Sequence, residues 1–137
     1  MNTGLGTNAQ SAMGAAGESG TGLGVRVVPG PGHVVVSVTG DIDTTTEQAF
    51  RDVLMDEATK PARRRVVVDL AGVGFMASAG LHALLAVNER VRAAGGSLIV
   101  ACAQPVVARV LSLTGVDQEI PVVGDVGEAL RMGPRPP

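Results

Sequence analysis

Four side chains have types and positions that could support chemistry: Ser78, in the small-residue run Ala77-Ser78-Ala79-Gly80, and the carboxylates Asp41, Asp43 and Asp69. Leu81, Leu84, Leu85, Asn88 and Val91 follow the run at helical spacing, so the run marks a helix start. A helix N-terminus carries unpaired backbone N–H groups and a partial positive charge, and it favours anions. A phosphate on Ser78 would sit where the backbone can hold it. The plainer alternative is an N-cap, in which the Ser78 oxygen accepts from a free N–H and contributes about 1 kcal/mol over alanine. Both readings can hold, since a capping hydroxyl is also a displayed one.

The three carboxylates fall at strand ends or just beyond them, which suggests that they converge with Ser78 on one edge. An acidic cluster there could also hold Mg²⁺ and take phosphate on an aspartate, as in a phosphorelay receiver. That chemistry needs a cation beside the transferred group. The only lysine, Lys60, precedes the third strand, at the opposite end from the aspartates. No Gly-x-Ser-x-Gly elbow surrounds Ser78, and no G-x-x-x-x-G-K-[ST] loop occurs. The expectation is a binding protein, not an enzyme, with no cofactor.

What must position these residues is a single domain, the usual content of 137 residues. Aromatic residues are limited to Phe50 and Phe75, so the core is built from Val, Leu, Ile and Ala, and few side chains could stack a nucleobase. The net charge of −2 gives no electrostatic reason to seek nucleic acid or anionic lipid. The one cysteine, Cys102, reads as a buried inert thiol in an apolar strand. His33 and His82 lack ligand spacing, so no metal site is expected. No apolar run of about 18 residues occurs, and a cytoplasmic location is expected. Residues Met1–Leu23 are glycine-rich with a single charge, Glu18, and are expected to be disordered; residues 24–132 form the domain, and 133–137 fray.

Val25–Pro29 and Val34–Thr39 read as a hairpin around Gly30-Pro31-Gly32. Thr44-Thr45-Thr46-Glu47 has the form of a capping box, opening a helix with Phe50, Val53 and Leu54 on its apolar face and Pro61 past its end. Arg63-Arg64-Arg65 reads as the solvated start of the Val66–Leu70 strand, with a partner-facing basic patch as the alternative. After the Ser78 helix, closed by Gly95-Gly96, come a strand at Leu98–Ala101, a helix from Pro105 to Gly115, and a strand at Ile120–Val123. A last helix is opened by Asp125-Val126-Gly127-Glu128. The order ββαβαβαβα implies an α/β fold with a mixed, mostly parallel sheet and right-handed crossovers.

Three pieces of this chain resemble the STAS family, the sulfate-transporter and anti-sigma-factor-antagonist domain. Gly40-Asp41-Ile42-Asp43 is similar to the family's G-x-[IL]-D loop. Val68-Asp69-Leu70-Ala71-Gly72-Val73-Gly74-Phe75-Met76 is similar to its D-L-x-x-V-x-F-[IM] strand and loop. Ser78-Ala79-Gly80-Leu81 is similar to its D-S-x-G-L helix start, with Ala77 in place of the usual Asp. The resemblance spans about Val25 to Met132 and implies a bacterial anti-sigma factor antagonist. Such a protein binds an anti-sigma factor, itself a serine kinase, when unphosphorylated, and so frees a sigma factor. A phosphatase resets it. The resemblance makes Ser78 the phosphoacceptor and Asp43 the companion acidic residue, with Asp41, Met76, Ala77, Ala79, Gly80 and Leu81 at the partner surface. Asp69 is then a structural strand-end residue, and Met76 and Leu81 are the expected centre of a dry contact. The alternative within the family is a scaffold or interaction subunit, of a signalling complex or a lipid-transport ATPase, that is never phosphorylated.

Overall fold

The computed structural model describes residues 22–61 and 64–132. Its elements are β1 (Gly24–Gly30), β2 (His33–Thr39), α1 (Glu47–Ala58), β3 (Arg65–Gly72), α2 (Ser78–Ala93), β4 (Ser97–Ala101), α3 (Pro105–Leu113), β5 (Val122–Val123) and α4 (Val126–Arg131), with a 3-10 turn at Val116–Gln118. The strands lie in the sheet in chain order, β1 antiparallel to β2 and each later neighbour parallel. The mixed, mostly parallel sheet expected from the alternation is therefore present.

Side-chain pattern explains each strand's place. β2 alternates buried and half-buried residues, with Val34, Val36 and Val38 inward. All five residues of β4 are buried, as a central strand covered on both faces requires. Val36, Val68 and Val100 stand in register across the three middle strands. That sheet face packs on Phe50 and Leu54 of α1, Leu84, Val87 and Val91 of α2, and Val107 and Leu111 of α3. The opposite face carries Val67, Ile99 and Ala101, covered by Ala129 of α4 with Val126 and Leu130 beside it.

Three local expectations are corrected. Leu23, assigned to the disordered tail, is buried in the main core; residues 1–21 and 133–137 lie outside the described residues. The last strand is shorter than Ile120–Val123, because Ile120 donates its N–H to Val116 O at 2.9 Å to close the 3-10 turn, which Gly115 (φ +81°) opens. The capping box expected at Thr44–Glu47 does not form: the N-cap of α1 is Thr46, which makes no side-chain cap bond, and the turn before it is held by Asp43 Oδ1, which accepts from the N–H groups of Thr45 (2.9 Å) and Thr46 (3.2 Å). Thr46 Oγ1 returns the bond by accepting from Asp43 N–H at 2.9 Å. Glu47 is left to pair with Arg51 at 2.8 Å, a one-turn ion pair on the helix surface.

Candidate functional site

The end of the sheet where β2, β3 and β4 run out is built by backbone hydrogen bonds between loops. The β2–β3 pairing shifts register between Ser37 and Thr39, with the extra residue on β3, and Gly40 N–H bonds Gly72 O at 3.0 Å. Gly72 has to be glycine, because a Cβ there would sit 2.4 Å from Thr39 Cγ2. Beyond it, Ile42 and Met76 form an isolated parallel bridge. Ile42 N–H donates to Phe75 O (2.9 Å), and Ala77 N–H donates to Ile42 O (2.8 Å). The Asp41–Asp43 loop is thus stitched to the residues that open α2.

Ala77 has the extended backbone of an N-cap (φ −84°, ψ 171°) and no side chain able to cap. Ser78 is the first helical residue, not the cap; this corrects the N-cap expectation. Its side chain is exposed, and its hydroxyl and N–H have no hydrogen-bond partner among the described residues. Gly80 N–H bonds Ala77 O at 2.9 Å, so the N–H groups of Ser78 and Ala79 are the ones left free at this terminus.

The carboxylates do not all converge. Asp41 is exposed, with Oδ1 3.8 Å from where a Cβ on Gly74 would lie, and its carbonyl accepts from Thr46 Oγ1 at 2.8 Å. Asp43 stands beside the Ile42–Met76 bridge. The Thr45 hydroxyl (2.7 Å), then the Thr45 and Thr46 N–H groups, hold its carboxyl below the ordinary aspartate value. Asp69 belongs to the other sheet face, where it accepts from Ser37 Oγ (3.0 Å) and Ala71 N–H (3.0 Å). It ties the strand ends together and faces away from Ser78. Cys102, next to it at the end of β4, is half-buried with φ +63°; burial, then Asp69, pushes its thiol pKa up.

Met76, Gly80 and Leu81 do not form the expected dry contact surface. Met76 is 2% exposed, Leu81 6%, and Gly80 is packed so tightly that a Cβ would lie 2.7 Å from Ile42 Cγ2 and 2.8 Å from Met76 Cγ. These residues shape the edge from beneath. The physical reason is alternation: Met76 bridges to Ile42 with its side chain inward, which turns Phe75, 48% exposed, outward. Phe75 is the surface residue that the sequence reading missed, although the same alternation could have flagged it. Ala77 and Ala79 are half-buried. A helix start with free N–H groups, a displayed hydroxyl and flanking carboxylates can accept a phosphate and present a contact edge. No group of three or more His, Cys, Asp or Glu side chains able to hold a metal ion occurs among the described residues.

Comparison with known proteins agrees with this geometry. The family model for the STAS domain matches residues 25–129. An anti-sigma F factor antagonist from Paenibacillus polymyxa is 29% identical over 100 residues, covering 72% of this chain and 85% of that one. The crystal structure of an anti-sigma factor antagonist from Mycobacterium paratuberculosis superimposes with a TM-score of 0.73 at 29% identity, over 82% of this chain and 94% of the other. The phosphorylated form of the Bacillus cell fate determinant SpoIIAA has the same fold, at a TM-score of 0.61 and 18% identity over 77% of this chain and 96% of that one. The family-model match over residues 25–129, most of the chain, shows that this protein belongs to the STAS domain family.

Proposed function

We propose that this protein is a cytoplasmic anti-sigma factor antagonist. It binds an anti-sigma factor serine kinase when Ser78 is unmodified, so releasing a sigma factor, and lets go when the kinase phosphorylates Ser78. A serine phosphatase restores the binding form. The observation that carries the reading is the exposed, unbonded Ser78 hydroxyl on the first turn of α2, beside two free backbone N–H groups. The antagonists named among its relatives supply the partner class.

The switch follows from where charge is added. Phosphorylation brings roughly −1.5 to −2 charges to the positive end of a 16-residue helix, so the fold tolerates it. Forming the complex would then require removing a dianion from water, at an effective cost of several kcal/mol per buried ion. At about 1.4 kcal/mol per tenfold in affinity, the complex weakens by about a hundredfold or more. No refolding is needed.

The test is to incubate the protein with ATP and each anti-sigma factor kinase of the source organism, and to measure added phosphate by mass spectrometry and affinity by calorimetry. Label on wild type but not on Ser78→Ala, with binding lost in Ser78→Asp, is the expected result. Ala77 favours a second reading, a scaffold subunit that is never phosphorylated, because the carboxylate that would stand beside the hydroxyl is missing. A stable complex without label, unaffected by Ser78→Asp, would establish that reading instead.

A further inference from the structure

We propose that a cavity at the opposite end of the molecule from Ser78 binds a phosphate group, either free or at the end of a larger molecule. The cavity holds about 240 Å³ and lies where α1 and α2 end and β3 begins. Its charged lining is Lys60, Arg64 and Arg90, and its walls include the small residues Ala58, Ala93 and Ala94. None of its lining side chains is acidic. The site stands independently of the antagonist reading, because α2 separates it from the Ser78 edge. Arg90 lies twelve residues past Ser78 on that helix, about 18 Å at the helical rise per residue.

Cations near helix C-termini are ordinary, since they offset the partial negative charge of the last carbonyls. Here, however, they share one concavity and are held there. Lys60 Nζ lies 2.8 Å from Glu57 Oε2, and Glu57 is 4% exposed, so the ammonium is anchored to a buried carboxylate. A longer contact of 3.6 Å reaches Asp56. The backbone of Arg64 is equally fixed. Its carbonyl accepts from Ser97 N–H at 2.8 Å, and a Cβ on Gly96 would lie 2.5 Å from that oxygen. The Arg64 and Arg90 side chains, by contrast, make no hydrogen bond or ion pair among the described residues. Two unneutralised guanidinium groups lining one cavity repel each other, and an anion between them turns that repulsion into attraction.

Donor geometry selects the anion. A guanidinium presents a planar fork of N–H groups that matches phosphate oxygens in pairs, and an ammonium adds a point charge. Phosphate has oxygens enough for both forks and the lysine together. Volume limits what else enters. Cavities for drug-sized ligands run to about 300–1,000 Å³, so this one takes the phosphate and leaves the rest of a larger molecule outside. No aromatic side chain lines it, so nothing there stacks a nucleobase. The arginine run ahead of β3 is thereby divided. Arg64 lines the cavity, whereas Arg65 turns to the other sheet face, where its Nη1 donates to Leu130 O at 3.0 Å. Arg63 lies outside the described residues.

The test titrates the full chain at low salt with inorganic phosphate, pyrophosphate and a nucleoside monophosphate, followed by calorimetry and amide NMR spectra. Saturable binding is expected, with shifts at the Thr59, Lys60 and Ala94 amides. Arg64→Gln and Arg90→Gln alter exposed positions and should each weaken binding by about tenfold or more, the loss of one charge-assisted fork. Arg109→Gln, an exposed arginine on α3 outside the cavity, removes the same charge and should change affinity by less than about twofold. Equal affinity for phosphate and the monophosphate assigns the site to the free ion, and tighter binding of the monophosphate assigns it to a phosphate ester; either result supports the proposal. Shifts that never saturate, or equal weakening in Arg109→Gln, would mean diffuse charge attraction and overturn it. Saturable shifts confined to the Ser78 and Ala79 amides would put the phosphate at the start of α2 and overturn it as well.

Discussion

Replacing Ala77 by Asp should stabilise this protein, although it adds a charge to a small-residue loop. Ala77 already has N-cap backbone angles, and Ala79 N–H, two residues on, has no acceptor among the described residues. A carboxylate at the cap can accept that N–H, a gain of typically about 1 kcal/mol over alanine. Negative charge at the positive end of α2 adds about 0.3–1 kcal/mol at low ionic strength. Asp41 and Asp43 flank Ile42, which is bonded to Ala77, and their repulsion takes back part of this; it is screened beyond about 10 Å at 0.1 M salt. The net expectation is about 1 kcal/mol. For a domain of this size that raises Tm by about 4–8 °C. Thermal unfolding at pH 7 measures it, with Ala77→Asn as the neutral control that keeps an acceptor and loses the charge. The gain in Ala77→Asp should fade as pH falls below the ordinary aspartate range near 3.9, and that in Ala77→Asn should not. A Tm equal to or below wild type in both variants would refute the assignment of Ala77 as an unfilled cap.

Two further outcomes test the frame around Ser78. Gly80→Ala would gain about 1 kcal/mol from helix propensity alone, but its Cβ meets Ile42 Cγ2 and Met76 Cγ within 3 Å, an overpacking that costs about 1–3 kcal/mol. The variant should therefore be less stable in denaturant unfolding; a rise of the full propensity gain would show that the Ile42–Met76 bridge is not tightly packed. Asp43→Ala should lower stability at neutral pH by removing the carboxylate that holds the turn ahead of α1. The Asp43 carboxyl is held below 3.8 by its hydrogen bonds, so its contribution is complete above the unfolded value and is lost as pH falls through the lowered folded one. The gap between wild type and variant, followed by urea unfolding, should close in that acid window; a gap independent of pH would mean that the carboxylate does not hold this turn.

The element order was legible because its signals are local. Valine runs of the right length gave strands, Pro105 and Gly95 punctuated helices, and the small-residue run opened α2 where expected. Errors arose where two adjacent residues could each play a part. Neighbouring threonines all suit an N-cap, and Thr46 holds that position, its hydroxyl taken up by Asp43 N–H and Asp41 O. Ser78 and Ala77 competed in the same way. Alanine holds the cap position because Ala77 N–H is committed to the Ile42 strand bridge, which fixes where the helix can begin.

What the sequence determined by itself was the α/β order, the place of the Ser78 hydroxyl at a helix start, and the small residues that let two loops approach. What only the tertiary structure decided was which side chains face solvent. A one-residue shift in an extended segment exchanges inside for outside. Met76 and Leu81 therefore joined the core, and Phe75 took the surface that the sequence reading had given them. Asp69 went to the opposite sheet face for the same reason, paired with Ser37 one strand away. Burial depends on contacts between segments far apart in the chain, and those distances are set only when the sheet closes.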